Sequence, residues 1–141
     1  MRFPAGSRLA WQPLDRGARQ LRLALGLGWP LAMAATPWWL GQGGPGLGCG
    51  FRALTGLPCP LCGGTHACAA LVQGDLTAAW AANPGAVLLL LWLALLAGQA
   101  VVEGALGRHR VGGWPWWHPA VLAAVGGGLV VSWLVRLAGL V

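Results

Sequence analysis

The chain has 141 residues, of which 57% are hydrophobic and only 9% are charged, and it contains ten Trp. The polar residues are too few to cover the surface of a soluble globule of this length. The composition therefore excludes an ordinary soluble protein and predicts an integral membrane protein. The formal net charge of +6 comes from nine Arg against three acids. Because most of these Arg flank the apolar stretches, we expect them to determine the orientation of the chain in the lipid bilayer and to contact anionic lipid. No nucleic-acid partner is expected.

A basic arm, residues 1–22, precedes the first apolar stretch, residues 23–40. A helix needs about 20 apolar residues to cross a hydrocarbon core of about 30 Å, so we expect a first transmembrane helix there. Pro30 and Pro37 should kink or fray it. A signal peptide with an Ala-Met-Ala cleavage site is the alternative, but the length of the arm favours a retained span.

Residues 41–82 follow as a cysteine-rich loop and a short helix. The ten residues from 41 to 50 include six Gly, which predicts a turn. A helix is then expected from 64 to 82, interrupted near Gly74, and it could lie in the membrane interface or re-enter the membrane. Asp75 is expected to pair with Arg52 or to cap a helix, and a catalytic role for it is disfavoured.

Two further spans are expected, at residues 84–102 and 119–135. A basic, Trp-rich loop at 103–118 separates them, and residues 136–141 form the C-terminal end. Asn and Pro at 83 and 84 punctuate the chain before the second span. Glu103 should close that span and pair with Arg108 or Arg110.

The third span has two features of its own. Arg136 lies near its end and should extend into the lipid headgroups. The run Gly126-Gly127-Gly128 allows close helix approach, which predicts packing against a partner membrane protein or a second copy of the chain.

Arg counts around the spans predict the orientation, because positive charge is retained in the cytoplasm. The arm holds five Arg, the segment after the first span only Arg52, and the next loop Arg108 and Arg110. The N-terminus is therefore expected inside and the cysteine-rich loop on the outer face, where disulfides persist.

All four cysteines lie in the cysteine-rich segment with one histidine. The candidate metal-binding or redox residues are Cys49, Cys59, Cys62, His66 and Cys68. Two cysteines separated by two residues can bind one metal ion or form a small disulfide ring, and the histidine lies one helical turn further on. Four readings stay open: a zinc-type Cys₃His site, two structural disulfides of unknown connectivity, an exchanging dithiol, and packed thiols. The cofactor is unknown, and zinc is one candidate.

The segment from Cys49 to Pro84 resembles the domain of unknown function family numbered 2752. That family consists of small bacterial membrane proteins with a Cys-Pro-x-Cys-Gly-x-Thr-Arg core, a downstream Gly-Asp and an Asn-Pro before an apolar helix. The matching elements are Cys49, Phe51, Leu54-Thr55-Gly56-Leu57, Pro58, Cys59, Pro60, Leu61, Cys62, Gly63, Gly64, Thr65, Gly74, Asp75, Ala78-Ala79, Asn83 and Pro84.

The chain departs from that core at two positions. His66 stands where the family has Arg, and Cys68 is an addition. The departure makes a metal site in this member more conceivable. The resemblance implies a bacterial protein of the cytoplasmic (inner) membrane and a shared local fold, and it supplies no activity.

Together these observations predict an all-α integral membrane protein with about three transmembrane helices. Its function is expected to be that of a non-enzymatic accessory or scaffold subunit with a structural cysteine motif, since no conventional catalytic set is visible. The alternative is a zinc-type metal-binding or thiol-redox membrane factor acting through Cys59 and Cys62.

Overall fold

The computed structural model describes residues 11–41, 50–111 and 117–139. Most of these residues are helical, as predicted, and a two-stranded sheet that was not predicted is added to the helices. The elements are β1 (Trp11–Pro13), α1 (Arg16–Gly41), α2 (Gly50–Thr55), α3 (Gly64–Val72), α4 (Leu76–Ala82), α5 (Pro84–Leu106), β2 (Arg108–Arg110) and α6 (Pro119–Leu137).

Two of the described helices are long and apolar enough to cross a membrane. Helix α5 has 23 residues with a mean hydropathy of 2.3, and α6 has 19 residues with a mean hydropathy of 1.9. Many of their large apolar side chains, such as Leu91, Leu95 and Leu134, are about half exposed. Length and composition therefore make α5 and α6 candidate membrane spans, and their exposed apolar side chains agree with this.

Helix α1 covers the first predicted span and is longer than it. Its 26 residues form one continuous helix that contains both Pro30 and Pro37. The hydroxyl of Thr36 donates to the Ala32 carbonyl 3.2 Å away, which satisfies one polar group within the helix. The two prolines therefore do not end the helix.

Glycine allows α1 and α5 to approach closely. A Cβ atom on Gly26 would lie 2.7 Å from Val101 Cγ2 and 2.8 Å from the Ala97 carbonyl oxygen. A Cβ on Gly104 would lie 2.8 Å from Leu23 Cγ. Rising numbers on one helix meet falling numbers on the other, so the two helices are antiparallel, and larger residues at these glycines would force them apart.

Helices α5 and α6 also use glycine at their contact. A Cβ on Gly85 would lie 3.2 Å from the Gly128 carbonyl oxygen, and a Cβ on Gly128 would lie 2.7 Å from Leu88 Cδ1. Gly126 and Gly127 have no such neighbour within 4 Å. One glycine of the predicted packing run therefore serves a contact within the chain, and the other two remain accessible.

At one end of the helices the two strands pair. Strand β1 is antiparallel to β2, with Gln12 opposite His109. The two strands come from the basic arm and the basic loop, far apart in sequence. The Leu14 N–H donates to the carbonyl of Gly107, the left-handed residue that ends α5, at 2.8 Å.

We call the end of the helices at which β1 pairs with β2 the hairpin end, although the two strands are distant in sequence. A buried charge lies beside this sheet. Glu103 is 3% exposed and forms an ion pair with Arg22 of α1, whose side chain is about one-third exposed. Gln99 donates its amide to the same carboxylate at 3.2 Å, and the Arg110 backbone N–H lies 3.5 Å from it. Arg22 was not among the partners that the sequence suggested.

The opposite end, which we call the loop end, contains the small buried core. Helices α3, α4 and α5 meet there through Ala67, Ala79, Ala86 and Val87. These small side chains allow the short helices to pack close to the start of α5.

A left-handed Gly74 with φ of 78° separates α3 from α4 where an interruption was predicted. Asp75 caps α4 by accepting from the Ala78 N–H at 2.8 Å. The capping alternative for Asp75 is therefore confirmed.

Candidate functional site

The Cys-Pro-Leu-Cys sequence forms a tight turn at the loop end. The Cys62 N–H donates to the Cys59 carbonyl at 3.0 Å, and the Cys59 N–H donates to Cys62 Sγ at 3.1 Å. The following Gly64 N–H donates to the Leu61 carbonyl at 2.8 Å. The turn therefore places both half-buried cysteines at its two ends, facing the same region.

Asn83 holds this turn from below. Its side chain is fully buried, and its Nδ2 donates to the Pro60 and Cys62 carbonyls, each at 3.0 Å. Its Oδ1 accepts from the Ala86 N–H at 3.0 Å and from the Ser132 hydroxyl at 3.2 Å. The amide thus uses two donor hydrogens and two acceptor lone pairs, which is its full capacity, while it caps α5.

Arg136 of α6 binds the same two carbonyls. Its Nη1 donates to the Cys62 carbonyl at 2.6 Å, and its Nη2 donates to the Pro60 carbonyl at 3.0 Å. We call the side chains of Asn83 and Arg136 on these two carbonyls the carbonyl clamp. The expectation that Arg136 extends into lipid headgroups was wrong, because its guanidinium is engaged with the loop.

Trp133 of α6 is the third side chain that binds the loop, after Asn83 and Arg136. Its indole N–H donates to the Pro58 carbonyl at 2.6 Å, and its ring meets Phe51 edge to face with centroids 6.5 Å apart. The carbonyls of three alternate loop residues, at 58, 60 and 62, are therefore bound by side chains of α6 or of the residue that caps α5.

Gly63 packs against the end of α4. It adopts the left-handed conformation with φ of 83°, and a Cβ there would lie 2.6 Å from the Ala82 carbonyl oxygen. Any larger residue would have both a strained backbone and a clash with backbone. Pro84 occupies the first turn of α5, where its missing N–H is harmless.

A cavity of about 740 Å³ opens beside the turn, bounded by α1, α2, α3 and α5. One side is polar and is lined by Arg52, Thr65, His66 and the two cysteines of the turn. The opposite side is apolar and consists of side chains from the first half of α5 together with one tryptophan of α1. These residues are Leu89, Leu90, Leu93 and Trp29.

The predicted metal or redox residues are only partly brought together. Cys59, Cys62 and His66 line the cavity, whereas Cys68 is buried against α1 with its Sγ 3.5 Å from Thr36 Oγ1. Cys49 lies outside the described residues. Within 11–41, 50–111 and 117–139, no group of three or more His, Cys, Asp or Glu is placed to hold a metal ion. The described members of the predicted Cys₃His set, Cys59, Cys62 and His66, are therefore not placed around one metal ion.

Sequence reasoning missed the residues that position the turn. These residues are on the last helix: Arg136, Trp133 and Ser132. Arg136 and Trp133 lie more than 70 residues beyond the loop residues that they bind. The signal that could have drawn attention to Arg136 is its charge near the end of an apolar span, where an unpaired charge is costly. Arg52 was assigned to orientation or to pairing with Asp75, and no site role was predicted for Trp29.

Comparison with known proteins identifies a family without an activity. Residues 49–97 match the model of the family described as protein of unknown function (DUF2752). No curated protein and no solved structure matches the chain. The resemblance predicted from the sequence is therefore confirmed for the segment that contains the turn and most of α5.

Proposed function

With residues 49–97 assigned to the family of unknown function DUF2752, we propose that the chain is a small membrane protein that acts as a non-enzymatic accessory subunit. In this proposal the cysteine-containing turn is a structural element. It joins the ends of three helices into one rigid surface that a partner membrane protein can recognise.

The carbonyl clamp is the observation that supports this proposal. Pro60 and Cys62 each offer one carbonyl, and both carbonyls accept from Asn83 and from Arg136. Saturating two carbonyls with a buried amide and a guanidinium fixes the turn to α5 and α6. The motif residues Gly63, Asp75 and Pro84 likewise serve the backbone, as a tight contact, a helix cap and a helix start.

The proposal includes three spans, with α1 crossing the membrane alongside α5 and α6. The seven described Arg divide unequally between the two ends, which supports a cytoplasmic hairpin end and an outer loop end. Arg16, Arg19, Arg22, Arg108 and Arg110 belong to the hairpin end, and Arg52 and Arg136 to the loop end. Gly126 and Gly127 remain accessible for a partner or a second copy, in the bacterial cytoplasmic membrane that the family implies.

Replacing the two cysteines of the turn tests the structural role. The variant Cys59→Ala/Cys62→Ala should lower the midpoint of thermal unfolding in detergent and reduce recovery of any co-purifying membrane protein. Cys68→Ala, which changes a thiol outside the cavity, is the matched control for partner recovery. A double variant that keeps both its stability and its partner would contradict the proposal.

A thiol-based function is the second candidate, and one observation favours it. Cys59, Cys62 and His66 line the same cavity, so a metal ion or a partner's disulfide could reach them. In the redox version the two thiols become a disulfide and reduce a partner's disulfide to two thiols. About one zinc ion per purified chain, lost in Cys59→Ala, or exchange with a model disulfide lost without loss of fold, would favour this candidate over the structural one.

A further inference from the structure

The cavity beside the turn has two chemically different walls. Its polar side carries a cation, a hydroxyl and an imidazole from Arg52, Thr65 and His66, and its apolar side carries Leu89, Leu90 and Leu93. Its volume of about 740 Å³ falls within the range of roughly 300–1,000 Å³ that is usual for ligand sites. A molecule that filled it would need a polar end and an apolar end.

No acidic side chain in the part of the chain that the structure describes neutralises the charge of the polar end. The sequence contains three acids in all, and each has another role. Asp15 caps α1 by accepting from the Ala18 N–H at 2.7 Å, Asp75 caps α4, and Glu103 lies at the hairpin end with Arg22. Arg52 therefore faces the cavity without an acidic partner, and an anion is the group that would complement it.

The apolar wall belongs to a helix that is long and apolar enough to cross a membrane. Leu89, Leu90 and Leu93 lie in the first half of α5, next to the loop end. A hydrocarbon chain along this wall would run in the direction of the span, with its head group at the loop end. Trp29 of α1 lines the same cavity and adds to its apolar surface.

We infer that this cavity binds one amphiphile with an anionic head group and a hydrocarbon chain. The head group contacts Arg52, Thr65 and His66, and the chain lies on Leu89, Leu90 and Leu93. The inference goes beyond the accessory role and does not depend on it. Both a structural and a reactive cysteine turn leave the cavity in place.

Native mass spectrometry of the full chain in a zwitterionic detergent tests this inference. The probes are phosphatidylglycerol, phosphatidylcholine and palmitate, each titrated separately. We expect one saturable equivalent of an anionic probe that binds about tenfold more tightly than phosphatidylcholine, because a charge-assisted hydrogen bond is worth roughly that factor. Binding of palmitate as well as phosphatidylglycerol would assign recognition to the anion and chain, and binding of phosphatidylglycerol alone would assign it to the phosphate.

Two matched variants separate the cavity from the general attraction of a basic protein for anionic lipid. Arg52→Gln should weaken anionic binding about tenfold, whereas Arg108→Gln, the same charge change at the hairpin end, should leave it unchanged. Leu89→Trp should reduce the stoichiometry by filling the apolar side while keeping the charge. Equal binding of phosphatidylcholine and phosphatidylglycerol, or equal loss in the two Arg variants, would overturn the inference. Unfolding midpoints of all three variants show that each is folded.

Discussion

The two ends of the helix bundle are held together by different chemistry. At the hairpin end, a buried carboxylate of α5 pairs with a partly exposed guanidinium of α1. At the loop end, neutral backbone carbonyls are bound by an amide and a guanidinium from α5 and α6. The Glu103 carboxylate is charged, so loss of the Arg22 guanidinium is costly although Gln99 and the Arg110 backbone N–H remain beside it. Each clamped carbonyl is neutral and keeps one of its two donors when the other is removed. The loop end is therefore expected to be less sensitive to the loss of one partner.

The largest expected effect is at the hairpin end. Arg22→Gln removes the guanidinium that contacts Glu103 and should lower the free energy of unfolding by about 4 kcal/mol, because the buried carboxylate loses a charged partner. Glu103→Gln should cost much less, since Arg22 is one-third exposed and can be solvated. Equilibrium unfolding in mixed micelles measures both. The double variant should resemble Glu103→Gln, and equal losses in the two single variants would contradict this account.

A somewhat smaller effect is expected from breaking the carbonyl clamp. Asn83→Ala removes the cap of α5 and leaves the buried Ala86 N–H and Ser132 hydroxyl without their acceptor. In the same assay it should lower the free energy of unfolding by about 3 kcal/mol. Arg136 still binds the Pro60 and Cys62 carbonyls, which limits the loss.

Asn83→Ser is the matched control for the clamp, because Ser retains a cap acceptor without adding a charge and is too short to donate to both carbonyls of the turn. It should lose less stability than the alanine variant if capping carries most of the effect. An alanine variant as stable as the native chain would show that the clamp contributes nothing to holding the loop end.

The smallest effect concerns one backbone contact. Gly63→Ala should destabilise the protein by about 2 kcal/mol more than Gly56→Ala, because both glycines are left-handed but only Gly63 faces backbone, with Ala82 O at 2.6 Å from a Cβ. Thermal unfolding of the two variants side by side isolates the clash from the φ strain. Equal midpoints would mean that the loop moves away from α4 without cost.

Much of the local structure could be predicted from the sequence. The apolar runs identified α5 and α6, the Gly-Asp pair marked the break between α3 and α4, and the Asn-Pro pair marked the start of α5. These features depend on neighbouring residues, whose periodicity and capping chemistry are visible in a single chain. The cysteine spacing likewise predicted one turn that presents both thiols.

The long-range attachments could not be predicted in this way. Asn83 is a local helix cap, and nothing in this role reveals its second role on the turn, 21 and 23 residues earlier. Arg136 was assigned to the membrane interface, because a guanidinium near a helix terminus has the same sequence context in either role. The same holds for the indole of Trp133. The pairing of β1 with β2 and the separation of Cys68 from the cavity depend on which helices are neighbours. No spacing within the sequence specifies that.

The position of Arg136 has a consequence for the order in which the chain is made. The turn at 59–62 is synthesised 74 residues before the guanidinium that binds the Cys62 carbonyl, and the family segment ends at residue 97. Until translation reaches α6, Asn83 alone can hold the turn. The loop end therefore reaches its final structure late in synthesis. If synthesis stopped after α5, the family segment would be complete in sequence but would lack the hydrogen bonds from α6 that hold the turn.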